Sequence, residues 1–290
     1  MVLLVSILSA LGLVAYAILY AGAYLTGTDP NHPSQVPAMV RSFGLVLSSV
    51  AALGAYWGAV RMGENRQASE LALKPLIPEL GIGGAIGAGS MALVIGMLWA
   101  AGWVAVARQP VVGLGTAIGY AVASGVVEET VFRLIIFRLL WRLIGAWPAL
   151  LASMIIFGAV HLTNFQGTLL GAFGTAIEGG LLSVALYMLT GRIWASIGEH
   201  SLWNFTQGWV FGAIVSGLGG FKGGPLITRP LDKVPDFLDG GVFGPEASIA
   251  AMALCAVAGG LGLWLASTRG RMSNDIGQEI PKAAQSVDGG

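Results

Sequence analysis

The sequence predicts an all-α polytopic membrane protein, a bundle of about eight transmembrane helices. Three observations predict it. Only 10% of residues are charged while 55% are hydrophobic, against about 25% charged in a soluble domain. The mean hydropathy is +0.76. The 290 residues divide into apolar runs of roughly 20, the length that crosses a hydrocarbon core about 30 Å thick.

The first span is expected from Val2 to Leu25. It is too long for a signal-peptide core and lacks a basic leader, so it reads as a retained helix. Thr26 to Gln35 is a loop of turn formers, and His32 within it reads as a solvated loop histidine. Span 2 runs from about Val36 to Val60, with Arg41 near its start. Met62 to Pro78 is a polar connector carrying Glu64, Arg66, Glu70 and Lys74. Span 3 is expected over Leu80 to Val106, closed by Arg108-Gln109-Pro110. Span 4 starts at Val111 and passes Phe132, with Arg138, Arg142 and Gly145 marking its turn. Span 5 opens at Trp147-Pro148, where proline fits the first turn, and reaches about Leu162. Spans 6, 7 and 8 cover about Thr168 to Leu189, Arg192 to Val215 and Ala247 to Ala266. Gly217 to Gly244 reads as a glycine- and proline-rich connector. Residues 1–268 are thus expected to form the transmembrane domain and 269–290 a polar, disordered C-terminal tail. The 44 glycines are packing information, because small residues let membrane helices approach closely.

Orientation follows from lysine and arginine in the short loops. One side holds Arg61, Arg66, Lys74, Arg138, Arg142, Arg192, Arg269, Arg271 and Lys282. The other holds Arg108, Lys222, Arg229 and Lys233. Both termini are therefore expected to be cytoplasmic, in a plasma membrane. Eleven arginines against four lysines, with abundant Gly and Ala, point to a GC-rich prokaryote. The formal net charge is zero, so nothing points to a nucleic-acid partner. The partners expected are the bilayer and a membrane-associated peptide or protein. The single cysteine, Cys255, excludes an intrachain disulfide and a cysteine metal cluster, and reads as a small buried hydrophobe.

Against this background a few polar residues stand out. Val126-Val127-Glu128-Glu129-Thr130-Val131-Phe132-Arg133 places two carboxylates and a guanidinium inside an apolar span, where ionisable groups mark function. Adjacent carboxylates on a helix diverge by about 100°. Arg133 follows Glu129 by four residues, the spacing that brings helical side chains together. Glu129 and Arg133 are expected to pair as a buried brace, leaving Glu128 to face a cavity. Phe157 and His161 share a face by the same spacing, as do His200 and Asn204. Counting about 1.5 Å per residue from the basic turns, all three groups are expected near mid-membrane. Glu178 is a second intramembrane carboxylate, expected to bond Arg192 or Ser183. Glu199 should point away from the His200 face, Asn164 should share the face of His161 or cap its helix, and Trp203 should pack.

A carboxylate in a low-dielectric pocket can act as a general base near neutral pH. Imidazoles can donate hydrogen bonds or bind a metal, and an asparagine amide can stabilise an oxyanion. Glu128, His161, His200 and Asn204 together suit water activation followed by attack on a carbonyl. Two histidines and a carboxylate are also a catalytic zinc set, so zinc or another divalent metal held by Glu128, His161 and His200 and a metal-free mechanism are equally compatible. No His-Glu-x-x-His and no Gly-x-Ser-x-Gly occurs.

Glu128-Glu129-x-x-x-Arg133, Phe157-x-x-x-His161 and His200-x-x-x-Asn204, in this order, resemble the three motifs of the CAAX protease and bacteriocin-processing (Abi) family of intramembrane proteases, the type II CAAX prenyl endopeptidase group. All motif positions match, within a family-like core of about residues 112–215. The resemblance implies an eight-helix bundle with a cavity open to the cytoplasmic side and the membrane. It implies an endopeptidase in which Glu128 activates water, His161 assists or binds a metal, and His200 and Asn204 position water or hold the oxyanion. Glu129, Arg133 and Phe157 support them. Eukaryotic members act on prenylated CAAX termini, a substrate that the motifs do not carry over to this chain. Two other classes stay open on the residues alone: a non-catalytic scaffold or chaperone of this fold, and an ion- or proton-coupled transporter using Glu128, Glu129, Arg133 and Glu178.

Overall fold

The computed structural model describes residues 14, 17–18, 20–29, 36–219, 221 and 223–272. Most of the expected first span, His32, Lys222 and the tail from residue 273 lie outside the described residues. The described chain is helical apart from one two-stranded sheet, and five of its helices are long and apolar enough to cross a membrane.

In chain order, α1 is Ala38–Gly63 and α2 is Leu76–Ala100. β1 is Val104–Arg108. α3, Leu114–Glu129, runs through a π-helical stretch, Thr130–Phe137, into α4, Arg138–Ile144. α5 is Ala146–Val160, ending in a 3-10 turn over His161–Thr163. α6, Leu169–Thr175, continues through the π segment Ala176–Ser183 into α7, Val184–Thr190. α8, Trp194–Phe205, ends in the π segment Thr206–Val210. β2 is Leu226–Pro230, α9 a single turn at Asp236–Asp239, and α10 Ile249–Thr268.

Three boundaries differ from the sequence reading. Span 3 was expected to run to Val106, but α2 stops at Ala100 and Gly102 turns the chain at φ 72°. Val104 to Arg108 then pairs antiparallel with β2, Val104 opposite Pro230 and Arg108 opposite Leu226. Alternating Val and Ala scores as hydrophobic in either conformation, so hydropathy alone extends the helix. For the same reason Gly217 to Gly244 is more than a connector, since it supplies β2 and α9. Span 7 ends at Val210 rather than Val215, where the chain turns irregular.

Small residues set how closely the site helices approach. A Cβ on Gly83 or Gly87 of α2 would strike the backbone of Ala195 or Glu199 in α8. These glycines are four apart, so they present one flat stripe to α8. Gly125 of α3 likewise lies against Ser201 and the Ile197 carbonyl of α8. The core that follows includes Tyr56, Leu134, Phe137, Val184, Met188 and Ile193, all fully buried.

At the arginine-rich end, a polar clamp ties the α1–α2 connector to α4. Arg138 grips Glu64 with both terminal nitrogens, and Arg142 Nη1 reaches the same carboxylate at 3.1 Å. Arg66 donates to Glu64 at 2.8 Å and to Glu70 at 2.8 and 2.6 Å, and Tyr56 donates to Glu70. Burial works to raise both carboxyls, but these donors outweigh it and hold Glu64 down at about 2 and Glu70 below its ordinary value. A carboxyl held down in the fold stabilises it above the unfolded value near 4.5 and loses that contribution as pH falls toward 2. The melting temperature in detergent should therefore fall between pH 4.5 and 2 as this clamp is protonated. Glu64→Gln should cost about 1–3 kcal/mol at pH 7, with a shallower acid limb, both read by a fluorescence melt across pH.

Candidate active site

Glu128 closes the last turn of α3, where the helix passes into its π stretch. Widened turns of this kind recur at functional sites. The Glu128 side chain keeps 31% exposure, whereas that of Glu129 keeps none. The two carboxylates diverge as helical geometry requires, one toward a cavity and one into the bundle.

Glu129 is the brace. Its Oε1 lies 2.8 Å from His200 Nδ1, and its Oε2 lies 3.0 Å from Arg133 Nε. The arginine contact is off the N–H axis, so it acts as a charge pair rather than an aligned hydrogen bond. Arg133, also fully buried, donates to the Gly179 carbonyl and rests over the Phe157 ring, 4.6 Å from its centroid. That is cation–π distance. Phe157 meets Phe132 and His161 on its other sides, with centroids at 4.8 and 4.7 Å. Gly179 leaves the room this ring occupies.

The two imidazoles are oriented by their Nδ1 partners. His161 Nδ1 is 2.7 Å from the Phe157 carbonyl, which can only accept, so Nδ1 carries the proton. His200 Nδ1 faces the Glu129 carboxylate, so its proton also sits there. Both Nε2 atoms are then left for the site. Each lies 3.9 Å from the same atom, Glu128 Oε2. That oxygen is buried and makes no hydrogen bond among the described residues. A gap of 3.9 Å is too long for a direct hydrogen bond and wide enough for an intervening oxygen.

Asn204 donates Nδ2–H to Ser124 Oγ at 3.0 Å, and Ser124 stands one helical turn before Glu128. A cavity of about 700 Å³ reaches Glu128, His161 and Asn204 and is walled by Thr116, Tyr120, Phe132, Val215 and Phe221 among others. His200 does not line it and stands behind Glu128. The structure thus brings Glu128, His161, His200 and Asn204 together from three helices, with Glu129, Arg133 and Phe157 beneath.

Several expectations change. His161 opens the 3-10 turn at the end of α5, whereas Glu128 lies near the middle of the continuous run from Leu114 to Ile144. The cavity lies along the whole of α3 and against the loops after α5 and α8, at the end of the bundle opposite the arginine-rich turns. The resemblance implied a cavity open to the cytoplasmic side and the membrane; along α3 the cavity runs from Gly113 to Phe132 and stops short of Arg138. Glu178 is buried but bonds neither expected partner, because Arg192 pairs with Glu79 and Ser183 donates to Glu199 at 2.6 Å. Glu199 is buried off the site face, and Trp203 and Cys255 are buried, as read. Asn164 lines the cavity and donates to the Ser216 carbonyl at 2.6 Å. Sequence reasoning missed Ser124 and Ser216. The only signal for Ser124 was its place four residues before Glu128, and Ser216 had none.

The donor types of Glu128, His161 and His200 are those of a zinc site, each histidine carrying the outer hydrogen bond that such ligands use. Their spacing does not fit as it stands. Zinc bonds of 2.0–2.1 Å at tetrahedral angles put donors about 3.3 Å apart, short of the 3.9 Å here. Among the described residues no group of three His, Cys, Asp or Glu is arranged to hold a metal ion.

Fold and site define an integral membrane protein of helical-bundle type, with a carboxylate and two imidazoles converging between helices at the head of an apolar cavity. Residues 109–206 match the family model of type II CAAX prenyl endopeptidase Rce1-like proteins, a segment that holds all three motifs and covers about a third of the chain. The match indicates a peptidase of the CAAX type. No curated protein and no solved structure matches the chain.

The approach of α3 to α8 at Gly125 is what allows Glu129 to reach His200. Gly125→Val should force the helices apart at a backbone contact and lower stability by about 1–3 kcal/mol. The measure is the detergent melt, with Gly54→Ala, at an open helical position, as the tolerated control.

Proposed function

We propose that this protein is an intramembrane endopeptidase that hydrolyses a peptide bond of a membrane-associated substrate with a water activated by Glu128. The single observation that carries the reading is the convergence of two oriented Nε2 atoms on the buried, unsatisfied Oε2 of Glu128, each at 3.9 Å. A water seated among them would donate one O–H to Glu128 Oε2 and the other to an imidazole Nε2.

The chemistry then follows from the chain's own groups. Glu128 takes a proton from the water as its oxygen bonds to the scissile carbonyl carbon. The water's other O–H is shared between the Nε2 acceptors of His161 and His200, which keep it on line. The carbonyl oxygen becomes an oxyanion and takes a hydrogen bond from the Asn204 amide, whose second N–H is not used by Ser124. Collapse of the tetrahedral intermediate breaks the C–N bond, and Glu128 returns its proton to the leaving amine. Glu129 keeps the proton of His200 on Nδ1, so that Nε2 stays available to the site. Arg133 and Phe157 hold Glu129 and the rings in register. Zinc at Glu128, His161 and His200 would require the three side chains to draw together, and no step above uses it. The mainly apolar walls of the cavity support an apolar or lipid-bearing substrate segment.

In a cleavage assay on lipidated membrane peptides, Glu128→Gln should lower kcat by about 10²–10⁴-fold with its melting temperature retained. Cleavage that survives this substitution would sink the mechanism. Glu129→Gln should lower kcat by about 10–100-fold through His200 while changing KM little. Activity that persists in a strong chelator, with no metal by elemental analysis, is expected; loss restored by zinc would establish the metal version instead.

A further inference from the structure

The structure carries an inference about the side from which this site is reached, which deepens the endopeptidase reading and rests on it for the word substrate. Along the described chain the long helices alternate in direction, so their ends fall on two faces. One face gathers the α1–α2 connector with Arg61, Arg66 and Lys74, the α4 turn with Arg138 and Arg142, and the two turns with Arg192, Arg269 and Arg271. The guanidinium of Arg271 approaches Gly191, so the last two of these turns meet in space. The other face holds the start of α1 with Arg41, the β1–β2 hairpin with Arg108 and Arg229, and Lys233. Those are eight basic residues against four among the described residues. The positive-inside bias assigns the first face to the cytoplasm.

The cavity belongs to the second face. Its α3 wall begins at Gly113 and Thr116 and ends at Glu128 and Phe132, short of Arg138. Glu128 lies about 21 Å along the helix from Leu114 and about 24 Å from Ile144. The other walls are Val160 to Asn164, where α5 ends, and Val215 to Phe221, where the chain leaves α8. Each of these connections turns at the face away from the arginines. Glu246 fixes the second wall, accepting from the Ser216 backbone N–H at 2.7 Å, and Phe221 is held edge-on to Tyr120 at 6.0 Å. Three apolar residues of the rim, Tyr120, Val160 and Leu218, keep 47%, 47% and 49% exposure. They mark a mouth that opens sideways as well as outward.

We propose that the cavity opens on the non-cytoplasmic face of the membrane. The substrate class is then a peptide presented in the outer half of the bilayer or beyond it, with an apolar or acyl-bearing segment beside the scissile bond. A peptide approaching from the cytoplasm would meet the Glu64–Arg138 clamp and the full depth of α4, not Glu128.

The test separates sidedness from activity. Phe165→Cys, 91% exposed in the α5–α6 connection at the cavity end, and Leu73→Cys, 73% exposed in the arginine-rich connector, are each made in the full chain. The native Cys255 is buried and serves as the unreactive control. Bacterial spheroplasts are treated with a membrane-impermeant maleimide before and after permeabilisation. The expected result is full labelling of the residue 165 variant in intact spheroplasts and labelling of the residue 73 variant only after permeabilisation. The reverse pattern overturns the proposal, and so does labelling of both only after permeabilisation. In a second arm, a quenched acylated peptide is added outside right-side-out vesicles holding wild type or Glu128→Gln. Cleavage by wild type alone supports delivery from that face. Cleavage only in inside-out vesicles overturns it. Absence of cleavage in detergent as well, beside the expected labelling, refutes the endopeptidase reading while the sidedness stands.

Discussion

Glu129 is a carboxylate with no exposure, set between a histidine on one oxygen and an arginine on the other. Taking a carboxylate and a guanidinium out of water costs several kcal/mol for each ion. The fold offsets that cost by converging three elements on the pair: α8 through His200, the π segment before α7 through the Gly179 carbonyl, and α5 through the Phe157 ring. Two of the residues that make these contacts also fix the site. The bond that satisfies Glu129 orients His200, and the residue whose ring covers Arg133 supplies the carbonyl that orients His161. Stability of the buried charge and geometry of the site are therefore one problem with one solution.

Close helix approach makes that solution reachable. Hydrogen bonds between side chains on neighbouring helices need backbones closer than large side chains permit, and in lipid no hydrophobic force draws helices together. Gly83, Gly87 and Gly125 remove the obstruction on both sides of α8. The π-helical stretches add a second adjustment. They follow Glu129, contain Glu178 and follow Phe205, so the ladder is widened where polar groups must leave the helical spiral. At the opposite end, the Glu64, Glu70, Arg66 and Arg138 clamp closes the bundle against water with paired charges, leaving the open cavity at the other face.

Much of the site could be read from spacing. Glu129 with Arg133, Phe157 with His161 and the outward turn of Glu128 follow from 3.6 residues per turn. The link between Glu129 and His200 spans 71 positions and has no periodic signature. Ser124 and Ser216 were invisible because a serine in an apolar run carries no information until its partner, Asn204 or Glu246, is in place. Glu178 bonds neither Arg192 nor Ser183 because each has another carboxylate partner in space, Glu79 and Glu199.

By itself the sequence determined a helical membrane bundle, the three polar motifs and the divergence of the adjacent glutamates, because local backbone geometry fixes which side chains share a face. The tertiary structure alone decided that two Nε2 atoms meet one carboxylate oxygen, that Val104 to Arg108 is a strand, and that the cavity lies away from the arginines. Those features depend on contacts between residues far apart in the chain, and such contacts are set by helix packing and pairing rather than by any local period.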